Sequence, residues 1–367
     1  MSSTATVKET ATAVGTPAQV KTMKAARIHG FGKPDVFKVE DAAVPGLQPG
    51  EVRIKILATG INRLEHYIRN GEFLTEEQIT FPRILGADAA GVIDAVADDV
   101  TGFEIGERVI PLTGYPTDPA EYDVRPFVNA ASFQVRGVHS DGTYAQYINV
   151  PAQWVVRDTT GLTPAEAATL PMVLVMAASA VKNIGQVKEG DTVLIQAGAS
   201  GTGSMSIQVA KALGARVLST VRSAAKAGFV ESVGADRVIV TGTEDFVQVA
   251  KDETGGQGVD VVIDGVGGGV FTRGLDALRT GGVIVPYGFS AGPEATINLI
   301  QLFFAQKQIR GAFAGGKEDL EWGLEQVKQG RVRALLQQTF PLSQVTEAHH
   351  LVAASKMQGN LALLPWE

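Results

Sequence analysis

The run Val193-Leu-Ile-Gln-Ala-Gly-Ala-Ser-Gly-Thr-Gly-Ser-Met205 limits what this chain can fold into more than any other, because an apolar strand passes through glycine-dense sequence straight into a helix. Val193 to Ile195 read as a buried strand, and Ile207, Val209, Ala210 and Leu213 share one face at helical spacing. Between them Gly198, Gly201 and Gly203 let the backbone turn tightly and leave the first helical N–H groups facing an incoming anion. With Ser200 and Thr202 in the same loop, residues 198–203 are the candidate seat of a pyrophosphate. A strict dinucleotide fingerprint carries glycine at position 200, where this chain has Ser200. Taken alone, such a loop is equally an ordinary strand-to-helix turn.

The chain downstream of Gly203 decides between the two. The same grammar repeats there at intervals of about two dozen residues, the length of one strand-helix unit. Strands are expected at Arg216–Thr220, Arg237–Val240, Val259–Asp264, Gly282–Tyr287 and Gln308–Phe313, with helices at Ala224–Val233, Asp245–Glu253 and Phe271–Leu278. Five further strands joined to the first give an α/β fold, a doubly wound parallel sheet with its ligand crevice at the strand ends. The segment Ala291–Ala305 has no clear period and reads as either helix or loop.

At the end of the second strand an NAD-binding chain usually places an acid on the adenosine ribose. Here the run is Ser219-Thr-Val-Arg-Ser-Ala-Ala-Lys226, without a carboxylate. Arg222 and Lys226 suit a ribose phosphate, with Ser219 and Thr220 as hydroxyl donors, so NADPH is the expected cofactor. The competing reading makes both cations solvated charges at a helix start.

At 367 residues the chain calls for two domains. Its formal charge of −7 shows no clustered basic face, which argues against nucleic acid as the main partner. With no cysteine there is neither disulfide nor thiolate ligand nor cysteine nucleophile. No apolar run reaches membrane-spanning length, so a soluble cytoplasmic enzyme is expected. Residues 1–22, rich in Ser, Thr, Ala and Val, read as a disordered tail or a weak transit segment. Upstream of the glycine loop the pattern is one of short strands divided by Gly and Pro. Val52, Ile54 and Ile56 alternate with Arg53 and Lys55, as in a half-buried strand. This is a mostly β domain, expected over 23–155, with the nucleotide-binding domain over 156–312. The helices Lys317–Gln329 and Gln344–Met357 and the apolar strand Leu361–Leu364 are too short a tail for a core of their own, so 313–367 is expected to rejoin the first domain.

In order along the chain stand Met23-Lys-Ala-Ala-Arg27, Gly50-Glu-Val, Gly60-Ile-Asn-Arg63, Tyr67-Ile-Arg, Gly86-Ala-Asp-Ala-Ala-Gly91, Gly106-Glu-Arg-Val109, Gly142-Thr-Tyr-Ala-Gln146, Pro164–Pro171, the glycine loop, Val259–Gly267 and Arg310-Gly311. This series resembles the medium-chain dehydrogenase/reductase superfamily and, within it, the zinc-independent quinone oxidoreductase group. The resemblance implies a GroES-like catalytic domain built from both termini around a central Rossmann domain, and a homodimer. Zinc members carry a cysteine where this chain has Asn62, a histidine where it has Ala87, a glutamate where it has Asp88, and a four-cysteine lobe that is missing here. A catalytic zinc needs three protein ligands, so no metal is expected. His29, His66, His139, His349 and His350 lack ligand spacing, and the last two are read as surface residues of a helix.

By the same resemblance Asn62 approaches the nicotinamide and Tyr67 is an active-site tyrosine; a helix cap and a core aromatic are their plain alternatives. Val266 and Tyr287, at strand ends, with Phe289 beside them, fall on the nicotinamide side. Gly265–Gly269 reads equally as tight packing. A phenol keeps its proton at neutral pH and can polarise a carbonyl or pass a proton on. Without a Lewis acid, conjugated acceptors are easier than plain alcohols, because charge spreads onto oxygen after hydride attack. The family threonine and tyrosine near the nicotinamide are replaced by Met176 and Ala178, and Leu112–Asp141 is longer than the usual connection. That insertion would cover the substrate or pack against a second subunit. The expected function is NADPH-dependent, zinc-independent hydride transfer to a quinone or α,β-unsaturated carbonyl. The alternatives are a carbonyl (ketone or aldehyde) reductase and a non-catalytic NADPH-binding protein.

Overall fold

The computed structural model describes residues 22–354 and 357–367. The expected tail at 1–22 lies outside the described residues except for Thr22, which opens the first strand.

The central sheet has six parallel strands in the spatial order Arg237–Val240, Arg216–Val221, Thr192–Ile195, Val259–Asp264, Leu278–Pro286, Gln308–Ile309. In chain order this is 3-2-1-4-5-6, so the order reverses beside the glycine loop, the point where open α/β sheets bind their ligands. Both faces are covered, as a parallel sheet requires. Leu194, Leu218, Ile239, Val262 and Ile284 belong to one apolar layer, and Val193, Ile195, Val217, Val261 and Ile263 to the other.

Some bounds differ from the periodicity for physical reasons. The helix expected from Phe271 starts at Gly268 and ends at Ala277, its first turn hidden by glycines of poor helix propensity. The strand expected over Gln308–Phe313 stops at Ile309, at the sheet edge where no further strand pairs with it. The helix after the second strand is a 3₁₀ turn, Ala224–Lys226, followed by Ala227–Ser232. The ambiguous 291–305 segment is irregular up to a short helix, Leu299–Phe304.

The first part of the chain forms twisted, mostly antiparallel sheets around the long strand Glu51–Ile61. The C-terminal strand Asn360–Leu364 pairs antiparallel with it, Leu361 opposite Ile61 and Leu363 opposite Thr59. The alternation at 52–56 is imperfect because Arg53 is buried, its guanidinium donating to Pro45 O at 3.0 Å and lying 3.8 Å from Asp94. The insertion 112–141 neither lacks structure nor stands away from its own chain. Gly114–Pro116 pairs with Phe133–Val135, and Tyr115, Tyr122 and Phe127 surround Trp154 at ring distances of 5.8, 5.1 and 5.1 Å. Arg125 stacks on Phe127 and reaches Glu318, tying the insertion to the helix Lys317–Lys328. Buried aromatic area fixes this lobe to its own fold.

Candidate active site

The glycine loop is held by the second strand. Thr220 Oγ1 accepts from Ala197 N–H at 3.0 Å and donates to Gln196 Oε1 at 2.7 Å, while Gly198 N–H donates to Thr220 O. Ser219 is fully buried, with Oγ donating to Ile195 O at 2.9 Å. These hydroxyls, read from the sequence as ribose-phosphate donors, bond the first strand and the start of the loop, Ser219 through Ile195 O and Thr220 through Ala197 N–H and the Gln196 side chain. Ser200 caps the helix Gly201–Ala212, accepting from Gly203 N–H at 3.1 Å. A side chain at Gly203 would collide with Ala197 O, so glycine there is a requirement of close approach. The N–H groups of Gly201 and Thr202 lie in the first turn, where a helix offers no internal acceptor, and they form a positive helix end suited to a phosphate.

At the end of the second strand, Arg222 is exposed and Lys226 is half-buried. Lys226 donates to Met357 O at 3.4 Å, and its ammonium pKa is lowered by burial and then by the charges of Arg222 and Arg63. Arg63, from the first helix of the other domain, thus joins the two cations read from the sequence. A second residue not foreseen is Asn360: its Oδ1 would lie 2.9 Å from a side chain at Gly201, and its buried Nδ2 meets no acceptor among the described residues. It is 5% exposed and comes from the C-terminal strand, more than a hundred residues from the loop it faces.

Beyond the fourth strand, buried Asp264 accepts from Val266 and Gly267 N–H, and this shapes the 265–268 turn; burial raises its carboxyl pKa against those bonds. Tyr287 packs over Gly265, with burial raising its phenol pKa and the Ser200 hydroxyl opposing that. Phe289 stacks on Tyr67 with ring centres 6.0 Å apart and planes 20° from parallel. This contact brings the helix Arg63–Asn70 against the strand ends of the nucleotide-binding sheet. Met176 Sδ accepts from Ala314 N–H at 3.0 Å, and Ala178 is buried.

Asn62 precedes that helix in an extended conformation and its N–H donates to Glu65 Oε2 at 2.7 Å, so the capping role is real. Its Nδ2 donates to Asp88 Oδ2 at 2.9 Å. Glu65 and Asp88 are both almost fully buried. Burial, and then the charge of Asp88, raises Glu65 to about 8. Burial raises Asp88 to about 7, opposed by the hydrogen bonds from Asn62 and Met172. Among the described residues no group of three His, Cys, Asp or Glu side chains is placed to hold a metal ion. The two histidines read as surface residues divide. His350 is exposed, 3.5 Å from Asp35, whereas His349 is fully buried with Nε2 3.1 Å from Tyr144 Oη, and burial lowers its pKa well below the usual range.

The reversal point of the sheet order lies beside a helix N-terminus and a group of cations, the place where folds of this class bind ligands, and proteins of similar sequence and structure are oxidoreductases. Residues 48–164 match the family model of the alcohol dehydrogenase GroES-like domain, and 201–329 that of the zinc-binding dehydrogenase. A 2-haloacrylate reductase from Burkholderia sp. is 30% identical over 358 residues, covering 93% of this chain and 98% of its own. A probable quinone oxidoreductase from Schizosaccharomyces pombe is 31% identical over 346 residues, covering 91% and 94%. A crystal structure of an NAD-dependent alcohol dehydrogenase superposes with a TM-score of 0.87 at 31% identity, covering 93% and 99%. The chain belongs to the medium-chain dehydrogenase/reductase superfamily, in its quinone oxidoreductase-like group. Its relatives are oxidoreductases, and the family binds nicotinamide cofactors.

Proposed function

We propose that this protein is an NADPH-dependent, zinc-independent reductase of quinones or α,β-unsaturated carbonyls. The observation that carries the reading is the meeting of Tyr67 and Phe289, which brings a phenol to the end of the strand Leu278–Pro286, in the same sheet as the glycine loop, with Asn62 at the start of the helix that carries it. In this reading Gly198, Ser200, Gly201, Thr202 and Gly203 hold the pyrophosphate with Asn360 behind them. Arg222, Lys226 and Arg63 take the ribose phosphate, and Val266, Tyr287 and Phe289 border the nicotinamide. The bound cofactor supplies a hydride. Tyr67 donates a hydrogen bond to the acceptor oxygen as negative charge gathers there, and a proton then comes from the phenol or from water. A haloacrylate, the substrate in one relative's name, is a conjugated acceptor, which favours this class over plain ketones. The cytoplasm is the proposed location.

Steady NADPH consumption across a panel of enones and quinones, unaffected by long EDTA treatment, is the expected result. Tight cofactor binding without turnover would replace the enzyme by a binding protein, and loss of activity with removal of bound zinc would overturn the metal-free reading.

A homodimer is also proposed. The edge strand Gln308–Ile309 is exposed, and beside it Leu299, Ile300, Phe303 and Phe304 are each more than 60% exposed on one short helix. An open edge flanked by apolar side chains suits pairing with its own copy about a twofold axis. Sedimentation should give a dimer, and Phe303→Asp with Phe304→Asp a monomer; a wild-type monomer would refute it.

A further inference from the structure

We propose that Phe133 and Phe313 form the far wall of the acceptor site and select acceptors that carry a flat apolar ring beside the reacting double bond; the proposal rests on the reading of Tyr67 as the acceptor-side phenol. Beyond the edge strand Gln308–Ile309 the chain keeps its course beside Leu278–Pro286, with Arg310 N–H donating to Ile284 O and Ala312 N–H to Pro286 O, each at 3.0 Å. Phe313 therefore leaves the sheet at the level of Pro286 and Tyr287, the end at which such sheets bind ligands. Phe289 leaves it from the adjacent segment, two residues after Tyr287. The two rings are 57% and 44% exposed, and each is met by a ring of the first domain. Tyr67 stacks on Phe289, while Phe133 meets Phe313 at 6.2 Å with planes 68° apart. Two aromatic contacts between the domains thus stand at one edge of the sheet, and only the first contains a polar group.

The second contact is held from both sides. Phe133 belongs to the strand Phe133–Val135 of the insertion, and its ring lies across Gly114 of the paired strand, where a side chain would come within 3.1 Å of Cζ. Ala314, next to Phe313, turns the chain with a φ of 54°, in the left-handed region that alanine seldom adopts, and its N–H donates to Met176 Sδ at 3.0 Å. Met176 comes from the helix Pro171–Ala177, whose Val175 packs so close that a side chain at Gly315 would collide with it. With its sulfur engaged, Met176 adds apolar surface to that of the two rings. A hydroxyl or carboxylate set against Phe133, Phe313 and Met176 would lose water without a new partner. A flat ring finds phenyl faces and edges there, the surroundings that aromatic groups prefer. The reacting carbonyl is left for the other contact, where Tyr67 carries the one hydroxyl among these four aromatic side chains.

The test compares benzylideneacetone with ethylideneacetone, enones that share the reacting group and differ in carrying a phenyl or a methyl group on it. With NADPH and the full chain, the ratio of kcat/KM for the phenyl over the methyl enone should fall by roughly threefold to tenfold in Phe133→Ala and in Phe313→Ala, the size of one aromatic contact. Phe313 is the more exposed ring, so its variant keeps the core intact should Phe133→Ala loosen the insertion. Binding is read separately by saturation-transfer NMR with NADP⁺, which has no hydride to give, and the affinity for benzylideneacetone should fall by a similar factor in both variants. An unchanged ratio in both, with the two enones turned over, would overturn the proposal and leave the reductase reading standing. Benzylideneacetone that does not bind, or binds equally to the wild type and both variants, would overturn it as well. Binding that depends on both rings in a protein that turns over neither enone would support the aromatic wall and remove the reductase reading.

Discussion

The two walls of the cleft are made of different material. The nucleotide side is built from backbone: a capped helix end, a glycine turn and a strand that clamps it through Thr220. The opposite side is built from side chains, with Asn62, Glu65 and Asp88 drawn from a helix start and a distant loop, the two carboxyls buried and Asn62 half-buried. Backbone groups have a fixed polarity that does not change with pH. Carboxyls take up and release a proton. In the proposed reading, binding is assigned to the invariant wall and chemistry to the adjustable one.

The largest effect that separates the walls is expected at Tyr67. Tyr67→Phe keeps the ring against Phe289 and removes only the hydroxyl. It should lower kcat on an enone by about a hundredfold to ten-thousandfold while the NADPH dissociation constant stays nearly constant. Full turnover per folded molecule would make Tyr67 a packing residue.

Next in size is the cofactor preference. A charge-assisted contact contributes roughly 1.5–3 kcal/mol, so two cations give NADPH an advantage over NADH on the order of a hundredfold. Fluorescence titration of Arg222→Ala, Lys226→Ala should find that advantage lost, and Arg63→Ala should remove a smaller part. Equal affinities in the wild type would return the protein to NAD, as in the alcohol dehydrogenase of similar fold.

Gly203→Ala probes the backbone wall directly. Its methyl group would meet Ala197 O, a backbone atom that can move only by opening the loop. Overpacking of this kind costs about 1–3 kcal/mol, which corresponds to weakening of NADPH by roughly tenfold to a hundredfold. Unchanged affinity would mean that the phosphate is held elsewhere.

The contrast between the walls also separates what is legible in the chain from what is not. Glycines at fixed spacing between a strand and a helix are a local pattern, so the parallel sheet can be read from Val193 onward. The clamp cannot: Ser219 and Thr220 fall at the right strand end, but the direction of a hydroxyl is set by the neighbouring strand, which the local run does not contain. Arg63 and Asn360 reach the nucleotide side from parts of the chain far from it in sequence, and no period announces them. His349 reads as a surface residue because its burial depends on Tyr144 and Phe37, which pack on it from the N-terminal part of the chain. In the sequence Asp88 shows only as the replacement of a zinc-side glutamate, and its partnership with Glu65 is a product of tertiary burial.

The smallest expected effect is the most specific to the adjustable wall. A carboxyl whose pKa is raised by folding binds more protons in the native state than in the unfolded chain between the two pKa values. Its stabilising share is therefore complete below the ordinary glutamate range and is lost as pH rises through the folded value, about 8 for Glu65. Glu65→Gln removes this titration and keeps one oxygen to accept from Asn62 or Ala87. Urea unfolding at several pH values should show the wild type losing ground to Glu65→Gln between about pH 5 and about pH 8, by on the order of 1–3 kcal/mol in total. The sign is the informative part. A Glu65 held ionised by its two N–H donors would make the wild type gain on the variant as pH rises from acid, and the pair would then be two fixed acceptors with no proton to move.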